Sequence, residues 1–233
     1  MVSRNDLYEE YIASKRDTEK SNAFFYYLIY RPLSLFITPF FISLKVRPNS
    51  ITFLTFLIVL MIPLSVNIFN KSYIFVACLG IIYCVLDCVD GTIARNQNIS
   101  SSFGMYMDSL FGKLYQLTLI FIILLLEYQK SGILNIYHVT ICCLSALMFL
   151  WGSDSRAYFK LHIQKNSKGL ASGKSLFSSV VISSIDLLPF LLFLSPFIGF
   201  FIISIFVFIY YLITFSATQI SILISSFKQD TNN

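Results

Sequence analysis

The chain has few charged residues and no long hydrophilic stretch. Only 12% of its 233 residues are charged, whereas a soluble domain of this length carries about 25%. It contains two histidines and an odd number of cysteines, five, none of them spaced as a zinc site requires. These shortages exclude a complete disulfide framework and argue against a separate soluble domain. We find no internal repeat and no low-complexity linker.

Apolar residues dominate the chain instead. They make up 56% of it, and the mean hydropathy is +0.73. Apolar runs long enough to cross a bilayer recur, and each span must satisfy its own backbone hydrogen bonds as a helix. The fold class is therefore an all-α integral membrane protein with six predicted transmembrane helices, roughly Ile51–Phe69, Tyr73–Arg95, Gly104–Leu126, Asn135–Tyr158, Lys174–Leu194 and Phe197–Ser225.

Lysine and arginine predict the orientation of these spans. With six spans both termini lie on one side of the membrane, and that side collects nearly all the basic residues. The opposite side holds only Lys71 and Lys130. The positive-inside rule then places both termini, and the Asp87–Arg95 end of the second span, in the cytoplasm. The net charge of +5 suits anionic lipid head groups and gives no reason to expect a nucleic-acid partner.

Residues 1–47 are predicted to form cytoplasmic amphipathic and interfacial helices that precede a six-helix membrane domain, residues 48–233. Residues 3–20 are charged and repeat apolar side chains at helical spacing, although a partly ordered tail is an alternative. Residues 24–44 are apolar but interrupted by Arg31, Pro32 and Pro39. An arginine at the bilayer midplane costs at least about 2.5 kcal/mol, so we expect a bent or interfacial helix pair rather than a seventh span.

Three aspartates lie inside apolar sequence. Asp87 and Asp90 are three residues apart, so they share one face near the cytoplasmic end of the second span. Asp108 lies one turn inside the third span. The segment between the two spans is polar and rich in serine, which predicts a turn and an antiparallel helix pair. The three carboxylates are therefore expected to lie close together.

Three anions in a site of low dielectric constant repel one another, and a divalent cation relieves that repulsion. Ligand sets made only of oxygen suit Mg²⁺, Mn²⁺ or Ca²⁺. Such an ion binds phosphate oxygens and offsets the charge that develops during phosphoryl transfer. The structural alternative is a set of ion pairs between the three aspartates and the basic residues Arg95 and Lys113.

The acidic segment has a recognisable pattern: Asp87-x-x-Asp90-Gly91-x-x-Ala94-Arg95, eight residues, then Gly104-x-x-x-Asp108. This pattern resembles the signature of the CDP-alcohol phosphotransferases, and Pro48-Asn49-x-x-Thr52 resembles the same family at the start of its first span. The family consists of integral membrane enzymes that make phospholipids and related phosphodiesters.

The resemblance implies that an acceptor hydroxyl attacks the β-phosphorus of CDP-diacylglycerol or another CDP-alcohol and releases CMP. It implies one or two Mg²⁺ or Mn²⁺ ions and a homodimer. By resemblance the metal ligands are Asp87, Asp90 and Asp108, with Asp108 also in the catalytic set. The CDP pocket would comprise Asn49, Thr52, Asp87, Gly91, Ala94, Arg95 and Gly104.

One position departs from the family pattern. The family has a fourth aspartate four residues after Asp108, where it is both a metal ligand and the presumed base, and this chain has Gly112. Either the enzyme works with another base, with Asp154 the best substitute, or with one metal, or the protein is catalytically silent. A silent protein would bind a CDP compound or lipid, or pair with an active partner. A third explanation is that the glycine was introduced by mutagenesis.

A basic cluster follows the fourth span. Arg156 and Lys174 are the candidates for binding a phosphorylated or anionic acceptor, because they lie at helix ends on the same side as Asp87. Ordinary positive-inside charge explains the cluster equally well. The sequence does not identify the acceptor. A small transporter is the interpretation outside the family, but the clustering of the acids at one face disfavours it.

Overall fold

The computed structural model describes residues 4–69, 72–97, 99, 101–162 and 184–230, and their regular structure is helical throughout. Before the spans, the chain forms two short helices, a π-helical turn and a third helix. These are α1 (Arg4–Ser14), α2 (Arg16–Asn22), the turn Tyr26–Tyr30 and α3 (Arg31–Ser43). The predicted helices of the N-terminal region are thus present, and their position on a membrane surface stays a prediction.

Among the described residues, five helices are long and apolar enough to cross a membrane. They make the chain a multi-pass membrane protein and agree with five of the six predicted spans. They are α4 (Pro48–Ile68), α5 (Ser72–Asn96), α6 (Ser102–Ser131), α7 (Ile136–His162) and, after the short helix described next, α9 (Phe200–Asp230).

The predicted fifth span, Lys174–Leu194, falls largely outside the described residues. Its described part consists of a 3-10 turn, Ser184–Leu187, and the start of α8 (Leu188–Ile198). Helix α8 is apolar but has 11 residues, where a full span needs about 20. The sixth membrane crossing therefore stays a prediction.

Local signals explain where the helices around the site begin. Helix α4 starts at Pro48, a position where the missing N–H of proline costs nothing. Helix α6 starts after Ser101, whose side chain accepts a hydrogen bond from the Gly104 N–H at 2.9 Å. Helix α6 ends at Gly132, which adopts the left-handed conformation that glycine tolerates best.

Helix α5 lies at the centre of the bundle and packs against α3, α4 and α8. A side chain at Gly80 would lie 3.1 Å from Pro189, so glycine lets α8 approach α5 closely. Tyr115 of α6 donates a hydrogen bond to the Gly80 carbonyl at 3.1 Å. The ring of Tyr115 stacks on Tyr83, with centroids 3.8 Å apart. Together these contacts fix the part of α5 that leads to the acidic segment.

Arg31 ties the N-terminal helices to α5. It is only 3% exposed, and its Nε donates a hydrogen bond to Glu19 Oε2 at 3.0 Å. Its Nη1 donates to the Cys88 carbonyl at 3.1 Å and to Thr92 Oγ1 at 3.0 Å. Burial alone would raise the pKa of Glu19, but the hydrogen bond and positive charge of Arg31 hold this pKa below its usual value. The arginine that interrupts an apolar segment in the sequence is thus buried and paired.

Candidate active site

An open cleft of about 120 Å³ lies where the first turn of α4, the end of α5 and the start of α6 meet. Most of the residues that the sequence assigns to a CDP pocket or metal site line it. The lining consists of Pro48, Asn49, Thr52, Asp90, Gly91, Ala94, Ile99, Ser101, Gly104, Met105 and Asp108.

Asp90 is the most enclosed acid of this cleft. It is 7% exposed, and the Thr52 hydroxyl donates a hydrogen bond to its Oδ2 at 2.9 Å. This bond joins two sequence motifs that are 38 residues apart. A hydrogen bond to a carboxylate holds the group in one orientation and stabilises its charged form.

Asp87 and Asp108 complete the acidic group. Asp87 is half-buried on α5 and Asp108 is exposed on α6. Their carboxyl groups are close enough to interact directly, and Asp90 lies within electrostatic range of both. Among the described residues none of the three forms an ion pair. Asp87 and Asp108 thus lie side by side with Asp90 nearby, and their role as a shared metal site stays a prediction.

The alternative of ion pairs with Arg95 and Lys113 is wrong for this part of the chain. Lys113 Nζ instead contacts Asp154 Oδ1 of α7 at 2.9 Å. Arg95 Nη2 donates a hydrogen bond to Thr92 Oγ1, one turn earlier on its own helix, at 3.3 Å. Neither cation forms an ion pair with the three aspartates among the described residues.

The donor chemistry of the acidic group fits a hard divalent cation. Asp90 and Asp108 line the cleft, Asp87 lies beside Asp108 outside the lining, and carboxyl groups are the ligands that Mg²⁺ and Mn²⁺ prefer. In the described residues, however, no three acidic, histidine or cysteine side chains converge on one ion position. The residue types fit a metal, while their side chains are not arranged as a finished coordination sphere.

The glycines of the motif keep the cleft open. A Cβ at Gly104 would lie 3.0 Å from Ser101 Oγ and 3.4 Å from Asn49 Oδ1, so a side chain there would crowd the wall. A Cβ at Gly91 would lie 3.5 Å from Arg95 Nη1, which places the Arg95 guanidinium beside the cleft although Arg95 does not line it. At both positions the absence of a side chain lets neighbouring polar groups lie close to the backbone.

Gly112 has more space around it than the glycines of the cleft. A Cβ at this position would meet only the Tyr83 hydroxyl, at 4.0 Å, which is ordinary van der Waals distance. A Cβ is therefore tolerated at position 112 without steric conflict. Tyr83 lies one turn before Asp87 on α5, and the sequence interpretation did not single it out. Tyr83 is four residues before Asp87, so it lies on the same face of the helix, and this spacing could have identified it from the sequence.

The remaining predicted residues lie away from the cleft lining. The side chain of Asp154 is 72% exposed and is held by Lys113, next to Gly112 in sequence. Arg156 is exposed and its Nη1 donates to Thr218 Oγ1 of α9 at 3.3 Å. Lys174 lies outside the described residues. Neither Asp154 nor Arg156 is among the residues that line the cleft.

The sequence was compared with known protein families and with curated proteins. A sequence model of the CDP-alcohol phosphatidyltransferase family matches residues 45–225, a range that includes every residue of the cleft. No curated protein matches the chain at a significant level.

Proposed function

The chain belongs to the CDP-alcohol phosphatidyltransferase family, and we propose that its acidic cleft transfers a phospho-alcohol or phosphatidyl group from a CDP-linked donor to a hydroxyl. Members of this family are membrane transferases that take such a group from a CDP-alcohol and generally depend on a divalent metal. The observation that supports an intact donor site is the convergence of Asn49, Thr52, Asp90, Gly104 and Asp108 on one cleft.

The donor pocket is built from small and polar residues. Asn49, Thr52, Gly91, Ala94 and Gly104 frame the CDP group, with Asp87 and Arg95 at its border. The first turn of α6 brings the positive end of a 30-residue helix to the cleft, which favours a phosphate. The glycines allow the diphosphate to approach the backbone.

Asp87, Asp90 and Asp108 would hold one or two Mg²⁺ or Mn²⁺ ions. When bound, the metal offsets the charge of the diphosphate and the charge that develops on the leaving CMP. The chain supplies the orientation of the ligands. Thr52 fixes the Asp90 carboxylate through its hydrogen bond, and the Arg31 contacts hold the α5 segment that carries Asp87 and Asp90.

The transfer requires a proton acceptor. The acceptor oxygen forms a bond to the β-phosphorus, the bond from that phosphorus to CMP breaks, and the hydroxyl proton goes to a base. Gly112 has no side chain for this role. Asp108 is exposed, lines the cleft and has no ion pair among the described residues, so we assign the proton to it. Asp154 is the second choice because Lys113 holds it.

A silent binding protein is the alternative function. The missing aspartate at position 112 favours it, since loss of a general base typically costs about 10²–10⁴ in rate. Such a protein would bind a CDP compound or lipid, or assist an active partner.

The orientation in the membrane follows from the distribution of basic residues: we propose that both termini and the cleft face the cytoplasm. We also propose that the enzyme is a homodimer, as the family resemblance implies.

Release of CMP distinguishes the two functions. Purified protein in lipid nanodiscs is incubated with CDP-diacylglycerol or with soluble CDP-alcohols, with Mg²⁺, Mn²⁺ or a chelator. We expect CMP release that requires the metal and disappears in Asp90→Asn, an isosteric change. Tight binding of CDP without CMP release from any donor would instead establish the silent function.

A further inference from the structure

A second pocket lies between the N-terminal helices and α3. It has a volume of about 340 Å³ and shares no lining residue with the acidic cleft. Its walls combine arginines, tyrosines and apolar side chains. They are Arg4, Asn5, Tyr8, Tyr11, Arg16, Tyr27, Leu28, Arg31, Pro32 and Leu35.

The pocket carries uncompensated positive charge. Arg31 is engaged by Glu19, so its charge is largely offset. Arg4 and Arg16 take part in none of the ion pairs formed by the described residues. No acidic residue is among those that line the pocket. Two arginines that face a cavity without a carboxylate favour an anionic ligand, and phosphate oxygens match the guanidinium group best.

The floor of the pocket contains polar groups as well. Tyr11 is only 4% exposed, and its hydroxyl interacts with the Glu19 carboxylate. Tyr8 and Tyr27 bring two further hydroxyls to the lining. Phenolic hydroxyls can donate to phosphate oxygens, so the site offers donors beyond the two arginines.

One side of the pocket continues into an apolar surface. Leu28, which lines the pocket, is exposed, as is Leu33 on α3, and Phe36 on the same helix is 71% exposed. In a chain with membrane-spanning helices, exposed apolar side chains of this size are suited to contact with lipid. The ligand therefore needs an anionic head and an apolar part.

The height of the pocket along the bundle fits a lipid head group. Arg31, which lines it, contacts Thr92, four residues before the end of α5. Asn96 at that end donates a hydrogen bond to Glu10 of α1 at 3.3 Å. Four residues of helix correspond to about 6 Å. The pocket therefore lies at the level where a membrane-spanning α5 leaves the bilayer.

We propose that this pocket binds the phosphate of an anionic membrane phospholipid, with the acyl chains along the exposed face of α3. The site is separate from the transferase cleft and does not depend on the proposed reaction. Because Arg31 links the pocket wall to the Cys88–Thr92 turn of α5, the bound lipid stabilises the helix segment that carries Asp87 and Asp90.

Native mass spectrometry of the full chain tests the proposal. The protein in detergent is titrated with phosphatidylglycerol or phosphatidylcholine, and the retained lipids are counted. We expect one phosphatidylglycerol to bind at least tenfold more tightly than phosphatidylcholine. The double variant Arg4→Gln, Arg16→Gln should lose about 30-fold in this affinity, since each basic residue near a lipid surface contributes about fivefold.

A charge-matched control separates the pocket from general electrostatics. Lys20→Gln with Lys45→Gln removes two exposed positive charges from the same region without touching the pocket lining. It should bind phosphatidylglycerol within about twofold of the wild type. Equal losses in both double variants, or equal binding of the two lipids by the wild type, would overturn the proposal.

A second variant covers the case in which the arginine variant does not fold. Asn5→Glu keeps both arginines and places a carboxylate in the pocket, within the first turn of α1 where negative charge is favourable. It should weaken phosphatidylglycerol binding at least fivefold. Soluble glycerol phosphate at millimolar concentration should not displace the lipid. Full displacement by it, or unchanged binding in Asn5→Glu, would contradict a lipid site.

Discussion

The hydroxyl of Thr52 donates a hydrogen bond to the carboxylate of Asp90 at 2.9 Å, across the interface between α4 and α5. The bond connects the proline-asparagine motif at the start of one span with the acidic motif at the end of the next. Each motif alone has an ordinary structural explanation, such as helix capping or ion pairing. Their direct contact on the wall of one cleft is what favours a shared chemical role.

Thr52→Val should therefore impair the cleft without unfolding the protein. The change keeps the shape of the side chain and removes the hydrogen bond to Asp90. A hydrogen bond to a charged group contributes about 1.5–3 kcal/mol, so CMP release should fall by about tenfold or more. Thr52→Ser, which retains the hydroxyl, is the control. Thr52→Val should need a higher Mg²⁺ concentration for half-maximal activity, and Thr52→Ser should not. Equal Mg²⁺ dependence in both variants would refute the role of this bond.

Gly112→Asp should increase activity. A Cβ at position 112 would lie 4.0 Å from the Tyr83 hydroxyl and causes no clash, and aspartate supplies the carboxylate that the family pattern has there. A general base is worth about 10²–10⁴ in rate, and the gain here should be smaller than that because Asp108 already takes the proton. The control is Gly112→Asn, which has the same size but cannot accept the proton. A rise in Gly112→Asn of the same extent, or a fall in Gly112→Asp, would show that the glycine serves another purpose.

Asp108 and Asp154 should differ sharply when each is replaced by asparagine. Asp108→Asn removes the proposed proton acceptor and metal ligand, so CMP release should fall at least 10²-fold. Asp154 is exposed and paired with Lys113, and such pairs contribute about 0–1 kcal/mol to stability. Asp154→Asn should change activity less than about threefold. A large loss in Asp154→Asn with little loss in Asp108→Asn would transfer the role of base to Asp154.

The Glu19–Arg31 pair should make stability depend on pH. The pKa of Glu19 is lower in the folded protein than in the unfolded chain, so its contribution is fully present above the unfolded value of about 4.3 and is lost as the pH falls through the folded value. Glu19→Gln leaves the Arg31 charge buried without its partner, which costs about 3–5 kcal/mol.

Thermal unfolding in detergent measures this effect. The difference in Tm between wild type and Glu19→Gln should be large at pH 7 and should narrow as the pH is lowered below about 4. Asp17→Asn, an exposed change on the same helix, should have little effect at either pH. A Tm difference that does not change with pH would mean that the ionised form of Glu19 is not what stabilises the N-terminal helices.

The parts of this structure that the sequence predicted correctly depend on local signals. The apolar runs predicted the helices α4 to α7 and α9, and the spacing of the acids around a polar turn predicted that Asp87 and Asp108 are neighbours. Ser101, three residues before Gly104, is a helix cap that the same approach could have found. These features require only helical geometry and the chemistry of a helix end.

Partners that are distant in sequence were not predictable in this way. Arg31 appeared as a costly interruption, because nothing local reveals that Glu19 neutralises it and that the Cys88 carbonyl accepts its hydrogen bond. Lys113 was a partner of the acids only in the structural alternative, and it instead contacts Asp154 of another helix. The neighbour of Gly112 is Tyr83, on a different helix. Each of these depends on how the helices pack, which the periodicity of one segment does not determine.

The most direct test of the account follows the β-phosphorus of the donor. Protein in nanodiscs receives CDP-diacylglycerol labelled at that phosphorus, with Mg²⁺ and a panel of soluble polyols, phosphorylated polyols and diacylglycerol, and the same labelling is repeated with a CDP-alcohol. The account predicts that the label enters a new phosphodiester, in step with CMP release, and that Asp90→Asn abolishes both. If the label stays in the donor, or appears only as the hydrolysed phospho-alcohol, the proposed transfer is contradicted.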